Sequence, residues 1–519
     1  MMKPTVWLMF AAAFLLAHGW LLSSQFYHNA YDDAYISFRY ALNFANGQGL
    51  VYNLGERVEG YTNFLWVVLL AFFIKAGLNV VIMSKILGVA FGLGTVILVF
   101  CFSQKCLGRD SPLISVPLSL LVLDSSFASS IISGMETALF AFLVTAGVFA
   151  YVGESEKERA FPFSSLIFAG ASLARPEGML FMSITLAHGI LHGVLTSQRG
   201  WLKRALWSLS VFLILYVPYF LWRYNYYGYL LPNTFYAKTG GGWDQVHRGL
   251  EYLWHFLEAR LGAVCLGLTV LHLIRRQFNF LVSYLLFVLI SFTLYVIWVG
   301  GDWAIAHRFF VPVLPLIYLL ISLGLKTYCS LISSFLPRRG RMWRVGEVAL
   351  LVFLVISTLV TTSYAGEYRL LILRYRDVDR CRISMGRWLR ENASPGATVA
   401  IFAAGEIPFY SELKSIDMLG MTDTEIAHLE IGSMDQRFAG HEKFDVDYTL
   451  SKRPDYVAFV AAGLDSTGMP DIFTASEYEQ ALLTHQEFMK SYRLLKYYQC
   501  SDGEGAVGVL FKRKEGTDP

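Results

Sequence analysis

About eleven apolar runs follow one another through the first 365 residues, at 5–24, 80–102, 112–130, 135–152, 161–174, 178–195, 205–222, 259–274, 279–298, 309–327 and 345–364. A membrane-crossing helix needs roughly 20 such residues, about 17–25. A soluble fold could not keep this much apolar surface dry. Of 519 residues, 55% are hydrophobic and 16% charged, against roughly 25% charged in soluble proteins. Beyond about residue 365 the charged residues return to ordinary density. The chain therefore reads as a polytopic α-helical membrane protein, 1–365, carrying a soluble α/β domain, 366–519. That excludes a cytosolic enzyme, a disordered protein and a disulfide-framework secreted domain.

Residues 62–77 form one further apolar stretch, short for a span and interrupted by Lys75. It reads as a helix lying in the interface or re-entering it. The excess of Lys and Arg in cytoplasmic loops tests this choice. If 62–77 does not span, one face collects Lys105 and Arg109, Lys157 and Arg159, Arg199, Lys203 and Arg204, Arg275 and Arg276, and the basic run to Arg344. This predicts an integral inner- or plasma-membrane protein with a cytoplasmic N-terminus, an uncleaved first anchor and a periplasmic or extracytoplasmic C-terminal domain. The net charge of +3 is uninformative as a sum, because basic loops serve topology.

With this orientation, five polar segments share the outer face: the first outer loop at 25–79, SGMET (133–137), ARPEG (174–178), YYGYLLPNTFYAK (226–238) and GGDWAIAHRFF (300–310). Ionisable residues at membrane depth are costly and usually face a cavity or a partner. Asp32 and Asp33 are the sharpest signal. Adjacent helix residues point about 100° apart, so one carboxylate can aim into a cleft while the other caps or orients. Capping the helix that begins near Tyr35 is the ordinary alternative. Arg39, Glu56, Arg57 and Glu59 share the loop, and a carboxylate there can take a proton from a hydroxyl nucleophile.

Lys238, His307, Arg308 and Arg175 can neutralise a phosphate, Arg with a bidentate fork, and Asn233 adds an amide. Each alone is more often a salt-bridge partner or a snorkelling anchor. Asp302 can simply pair with Arg308 or His307, and Glu136 with Arg175. His188 and His192 have the i, i+4 spacing of metal ligands but no third ligand in view, which favours an interfacial role. No nucleotide-binding, zinc-protease or hydrolase motif is present, and no metal site is expected. Cys381 and Cys500 lie in the outer tail, where oxidation is allowed, and are expected to pair.

In the tail, 377–392 reads as an amphipathic helix, 398–404, 416–419 and 455–460 as strands, 476–489 as a helix, and 492–500 with 506–512 as a hairpin. Thr422 is expected to cap a helix with Glu425 in a capping box. Glu406, Asp417 and Asp423 follow strands, where α/β domains often bind ligands; ordinary turn chemistry is the competing account.

The first outer loop, SGMET, ARPEG, LPNTFYAK, GGDW…HRFFVPVLP, IDMLGMTD and Gly440-His441-Glu442-Lys443 together resemble bacterial membrane glycosyltransferases of the GT-C superfamily. They look most like the group typified by the mycobacterial terminal arabinofuranosyltransferase. The resemblance implies a polyprenyl-phosphate-linked sugar donor, two membrane-parallel helices in the first outer loop, and an Asp there, Asp32 or Asp33, as base or acceptor orienter.

The expected function is transfer of a sugar, arabinofuranose being one candidate, from a polyprenyl-phosphate donor to a cell-envelope glycan or glycolipid acceptor outside the membrane, with inversion. Arg39, Glu59, Glu136, Arg175, Asn233, Lys238, Asp302, His307 and Arg308 are the substrate-binding candidates. No cofactor is needed, although a divalent metal is compatible with the chemistry. Membrane lipid is a partner and nucleic acid is not. The competing classes are a transporter or flippase for a lipid-linked glycan and a non-catalytic envelope-assembly protein.

Overall fold

In the computed structural model the described residues are 4–25, 30–157, 161–197, 200–240, 242–260, 267, 269, 279–302, 307–335, 366–430, 442–465, 468–500 and 506–515. The runs expected at 259–274 and 345–364 fall almost wholly outside them. The chain divides into two compact units. Unit 1 comprises Met1–Ser24, Ser84–Trp222 and Trp243–Tyr368, and unit 2 comprises Gln25–Met83, Arg223–Gly242 and Arg369–Pro519. A division at 365/366 puts the first outer loop with the membrane segments, whereas compactness groups it with the tail.

In chain order the first helices are α1 (Pro4–Gln25), α2 (Asp32–Ala45), α3 (Phe64–Lys75), α4 (Val80–Leu107), α5 (Ser115–Leu123), α6 (Ser125–Ser130) and α7 (Thr137–Ser155). Then come α8 (Phe163–Ala174), α9 (Glu177–Leu195), α10 (Trp201–Tyr227), α11 (Asn233–Lys238), α12 (Gly242–Glu258), α13 (Phe280–Trp298) and α14 (Leu314–Phe335). Among the described residues six helical segments are long and apolar enough to cross a membrane: α4, α7, α9, α10, α13 and Arg308–Leu331. The chain is an integral membrane protein.

In unit 1, α7 packs on α8, α8 on α9, and α9 on α13. The run at 112–130 is not one helix. A 3₁₀ turn over Pro112–Ile114 leads into α5, and the chain breaks at Asp124 before α6. The break has a cause: Asp124 accepts the Ser126 and Phe127 amides at 2.8 and 3.2 Å, capping α6 at its first turn.

Unit 2 holds α2 against α3. The 12 residues of α3 reach about 18 Å, too short for a hydrocarbon core of about 30 Å, in keeping with a non-spanning segment. The tail continues with α15 (Gly366–Asn392), β1 (Thr398–Ile401), α16 (Glu406–Ser411), β2 (Lys414–Asp417), α17 (Thr424–Ala427), α18 (Val446–Ser451), β3 (Tyr456–Ala461), α19 (Glu477–Leu483), α20 (Gln486–Ser491), β4 (Tyr492–Gln499) and β5 (Val507–Arg513). The sheet order is β2-β1-β3-β5-β4. The first three strands are parallel, and β3, β5 and β4 are antiparallel. Its core includes Val457, Phe459, Leu482, Phe488 and Phe511.

Two details differ from expectation. Asp423, not Thr422, caps α17, accepting the Glu425 and Ile426 amides. The helix expected at 476–489 breaks at Thr484–His485 into α19 and α20, the first opened by a Ser476/Glu479 capping box. Cys381 and Cys500 are disulfide-bonded across 119 residues, as expected.

Candidate active site

Unit 2 carries the aspartate pair. Both residues lie in the first turn of α2, where carboxylates suit the helix dipole, but the α2 N-cap is Tyr31 without a side-chain cap. Asp32 instead caps a helix of the tail. The Gly405 and Glu406 amides donate to its two oxygens at 3.1 and 2.9 Å, closing the N-terminus of α16. Gly405 is required there because a Cβ would collide with the Asp32 carbonyl. The Arg382 guanidinium lies 3.9 Å from Asp32 and 3.8 Å from Asp379.

Glu406 is fully buried beside them, so three carboxyls share one cation. Burial, together with repulsion from its neighbours, holds each of Asp32, Asp379 and Glu406 above the usual carboxylate range, against the pull of Arg382. Asp32 thus joins the start of α2 to the start of α16. Asp33, half-buried and one position on, leaves the helix about 100° away.

Arg39 is also engaged by structure. Its Nε donates to the Tyr52 carbonyl at 2.8 Å, Nη1 to the Pro408 carbonyl at 2.6 Å, and Nη2 to the Leu413 carbonyl at 2.7 Å and Asn53 Oδ1 at 3.2 Å. It also covers the Tyr52 ring at 4.5 Å. The fork of this substrate-binding candidate is thus taken up by main-chain oxygens and Asn53. Glu59 forms a buried pair with Arg223, whose Nε donates at 2.8 Å. Burial pushes Glu59 up to about 7, with Arg223 opposing.

Asn233 Nδ2 donates to the carbonyls of Gly420, Met421 and Asp423 at 2.9–3.2 Å, tying LPNTFYAK to IDMLGMTD rather than facing a ligand. Within IDMLGMTD, Asp417 accepts the Leu419 and Thr422 amides, which is turn chemistry, as Asp423 is capping chemistry. Lys443 of the GHEK segment donates to Tyr236 and Ala427 carbonyls at 2.9 Å; Gly440 and His441 lie outside the described residues. Lys238, at the end of α11, is half-buried.

Unit 1 carries the remaining candidates. Arg175 faces Glu136 at 2.9 Å and grips Glu177 through Nη2 and Nε at 2.9 and 3.3 Å. One guanidinium between two buried carboxylates is a poor phosphate clamp, and the structural pairing of Glu136 with Arg175 is what the fold uses. Arg308 binds Asp302 bidentately at 2.7 and 3.1 Å. His307 is held in the left-handed region, φ 53°, which costs roughly 1–3 kcal/mol for a residue with a side chain. Burial, and next the Arg260 charge, push His307 down to about 3. Its imidazole is therefore neutral near pH 7 and offers no charge to a phosphate.

Sequence reasoning missed Arg260. Its Nε and Nη2 bind Asp124 at 2.8 and 3.1 Å, and the Tyr318 hydroxyl donates to the same carboxylate at 2.5 Å. Arg260 and Tyr318 border a cavity of about 310 Å³ between α12, α13 and α14. Its other lining is mostly Leu, Ile and Phe, and Arg260 is the one charged residue among those described there. Ile290 and Leu294 of this lining are 57% and 61% exposed, so the cavity opens on the lateral face of α13. His188 bonds Tyr151 at 3.3 Å and Ser283 at 3.0 Å, a packing role. Among the described residues no group of three or more His, Cys, Asp or Glu side chains is placed to hold a metal.

Residues 371–508 match a family described as a domain of unknown function, DUF8728. The terminal β-(1→2)-arabinofuranosyltransferase of Mycobacterium tuberculosis is 30% identical over 275 residues, 49% of this chain and 42% of that protein. The match thus spans less than half the length of that relative. The crystal structure of ArnT from Cupriavidus metallidurans bound to undecaprenyl phosphate superposes with a TM-score of 0.60 at 13% identity, over 98% of both chains. Archaeal oligosaccharyltransferase AglB from Archaeoglobus fulgidus, in complex with an inhibitory peptide and a dolichol-phosphate, gives 0.57 at 11% identity, over 98% of this chain and 75% of that one. The chain has the fold of these solved structures and is similar in sequence to the mycobacterial terminal arabinofuranosyltransferase.

Proposed function

We propose that the protein is an extracytoplasmic glycosyltransferase whose donor is a sugar on polyprenyl phosphate. The cavity between α12, α13 and α14 carries this reading. It is apolar and opens laterally, and its one charged residue among the described lining, Arg260, is held in an ion pair with Asp124; an apolar bay of this kind suits a prenyl chain. Similarity to proteins captured with undecaprenyl phosphate and dolichol-phosphate supports the same donor class.

In this reading Asp33 takes the proton from the acceptor hydroxyl, or orients it, while Asp32 fixes the helix that presents Asp33. The hydroxyl attacks the anomeric carbon, the bond to the phosphate oxygen breaks, and polyprenyl phosphate leaves with both electrons, giving inversion. Lys238 is the candidate cation retained from the sequence for the leaving phosphate, a task preorganised charge performs well. Arabinofuranose as the sugar, a cell-envelope acceptor, about eleven spans and a cytoplasmic N-terminus belong to the same proposal; the similarity to an arabinofuranosyltransferase supports the sugar.

A photoactivatable polyprenyl phosphate tests it in the purified full chain. Crosslinks to α13 around Ile290 and Leu294, competed by unlabelled polyprenyl phosphate and not by a neutral polyprenol, are expected. Labelling that is absent from α13, or equally competed by the polyprenol, contradicts it.

A further inference from the structure

A second cavity, of about 360 Å³, lies wholly within unit 1, where the ends of α7 and α9 meet the starts of α8, α10 and α13. This is the end of the bundle where Lys157 follows α7 and Lys203 and Arg204 lie in the first turn of α10. Its lining combines the aromatic residues Tyr151, Trp201, Trp207 and Phe280 with the hydroxyls of Ser164, Ser165, Thr185 and Ser208.

Among the described residues four charged side chains border it, two acids and two bases. Glu154 accepts the Ser164 amide and hydroxyl, both at 2.7 Å. Glu156 pairs with Lys105 at 2.6 Å. Lys157 and Arg204 supply positive charge to the same cavity. The walls are built closely: a Cβ at Gly193 would collide with Trp201, and one at Gly189 would meet the Tyr151 hydroxyl at 2.9 Å. Beside this polar hollow, α10 turns an apolar surface outward, with Leu202 53%, Leu206 55%, Trp207 49% and Ile214 68% exposed.

Cations and hydroxyls bordering a hollow, with an outward apolar strip next to it, are the complement of an anionic amphiphile, and basic pockets between membrane helices bind such headgroups. We propose that this cavity is a binding site for the headgroup of an anionic glycerophospholipid, whose acyl chains lie along the outer face of α10. The site is separate from the Arg260 cavity and independent of the proposed reaction.

The test is native mass spectrometry of the full chain in detergent, titrated with phosphatidylglycerol, phosphatidylcholine, polyprenyl phosphate and inorganic phosphate. Wild type is expected to retain phosphatidylglycerol in preference to phosphatidylcholine. Lys157→Gln/Arg204→Gln should weaken it by about tenfold to thirtyfold, at roughly 1 kcal/mol per basic residue, while leaving polyprenyl phosphate binding unchanged. Lys157→Gln alone, at an exposed position, should show part of the loss in a chain that melts like wild type. Equal retention of the two phospholipids, or an unaltered affinity in both variants, overturns the proposal. So does a loss confined to polyprenyl phosphate, or displacement of the lipid by inorganic phosphate.

Discussion

Arg175 shows how scarce charge is used at the residue scale. It serves Glu136 and Glu177 together, so removing it leaves two carboxylates uncompensated in a buried setting. Arg175→Ala should cost about 3–5 kcal/mol, and Glu177→Gln in that background should return part of it. Thermal melts of the purified variants check both; an Arg175→Ala chain as stable as wild type contradicts the pairing. The Glu136–Arg175 contact was legible in the sequence because each residue interrupts an apolar run and demands a partner. Asp124 with Arg260 was not: they are 136 residues apart, and Asp124 looked like a lone interruption of one long span. Glu59 with Arg223, 164 residues apart, was hidden for the same reason, since Arg223 sits at the end of a helix where a snorkelling anchor is ordinary.

Among the elements, the informative junction is the one between α2 and α16. A glycine after β1 reads in sequence as a simple strand exit. The structure gives it a sharper task, because only hydrogen fits between Gly405 and the Asp32 main chain. Gly405→Ala should therefore push the first turn of α2 away from α16 and displace Asp33 with it. The expected outcome is a lower transfer rate at unchanged KM in a chain that still folds. A parallel rise in KM, or no effect, would show that this turn does not present a reacting group. Strands and the final hairpin were readable from their apolar runs and bounding turns, whereas the capping of α16 by a residue 373 positions away had no local signature.

At the scale of the whole molecule, the tail and the first outer loop form one compact unit, and that unit buries acids. Asp32, Glu59, Asp379, Glu406 and Asp417 are all raised by burial, Glu59 to about 7 and Asp417 to about 6. A raised acid binds its proton more tightly when folded, so the stability it contributes is full below the unfolded pKa, about 4, and is lost as pH rises through the folded value. The melting temperature should fall between about pH 4 and 7, and Glu406→Gln should flatten the fall and raise stability at neutral pH. A melting temperature that climbs over this range, or a variant that tracks wild type throughout, contradicts the assignment.

The apolar runs made membrane residence legible in the sequence, but not this grouping, because the segments that form the unit are separated by the membrane helices. In the proposed reaction Asp33 works on the acceptor while Asp32 works on the fold. This is tested most directly by transfer from a radiolabelled polyprenyl-phosphate sugar in proteoliposomes, comparing wild type, Asp33→Asn and Asp32→Asn. The account predicts that Asp33→Asn melts like wild type and loses about 10²–10⁴-fold in rate, and that Asp32→Asn melts earlier and keeps more of its rate. Wild-type transfer by the Asp33→Asn chain would contradict it.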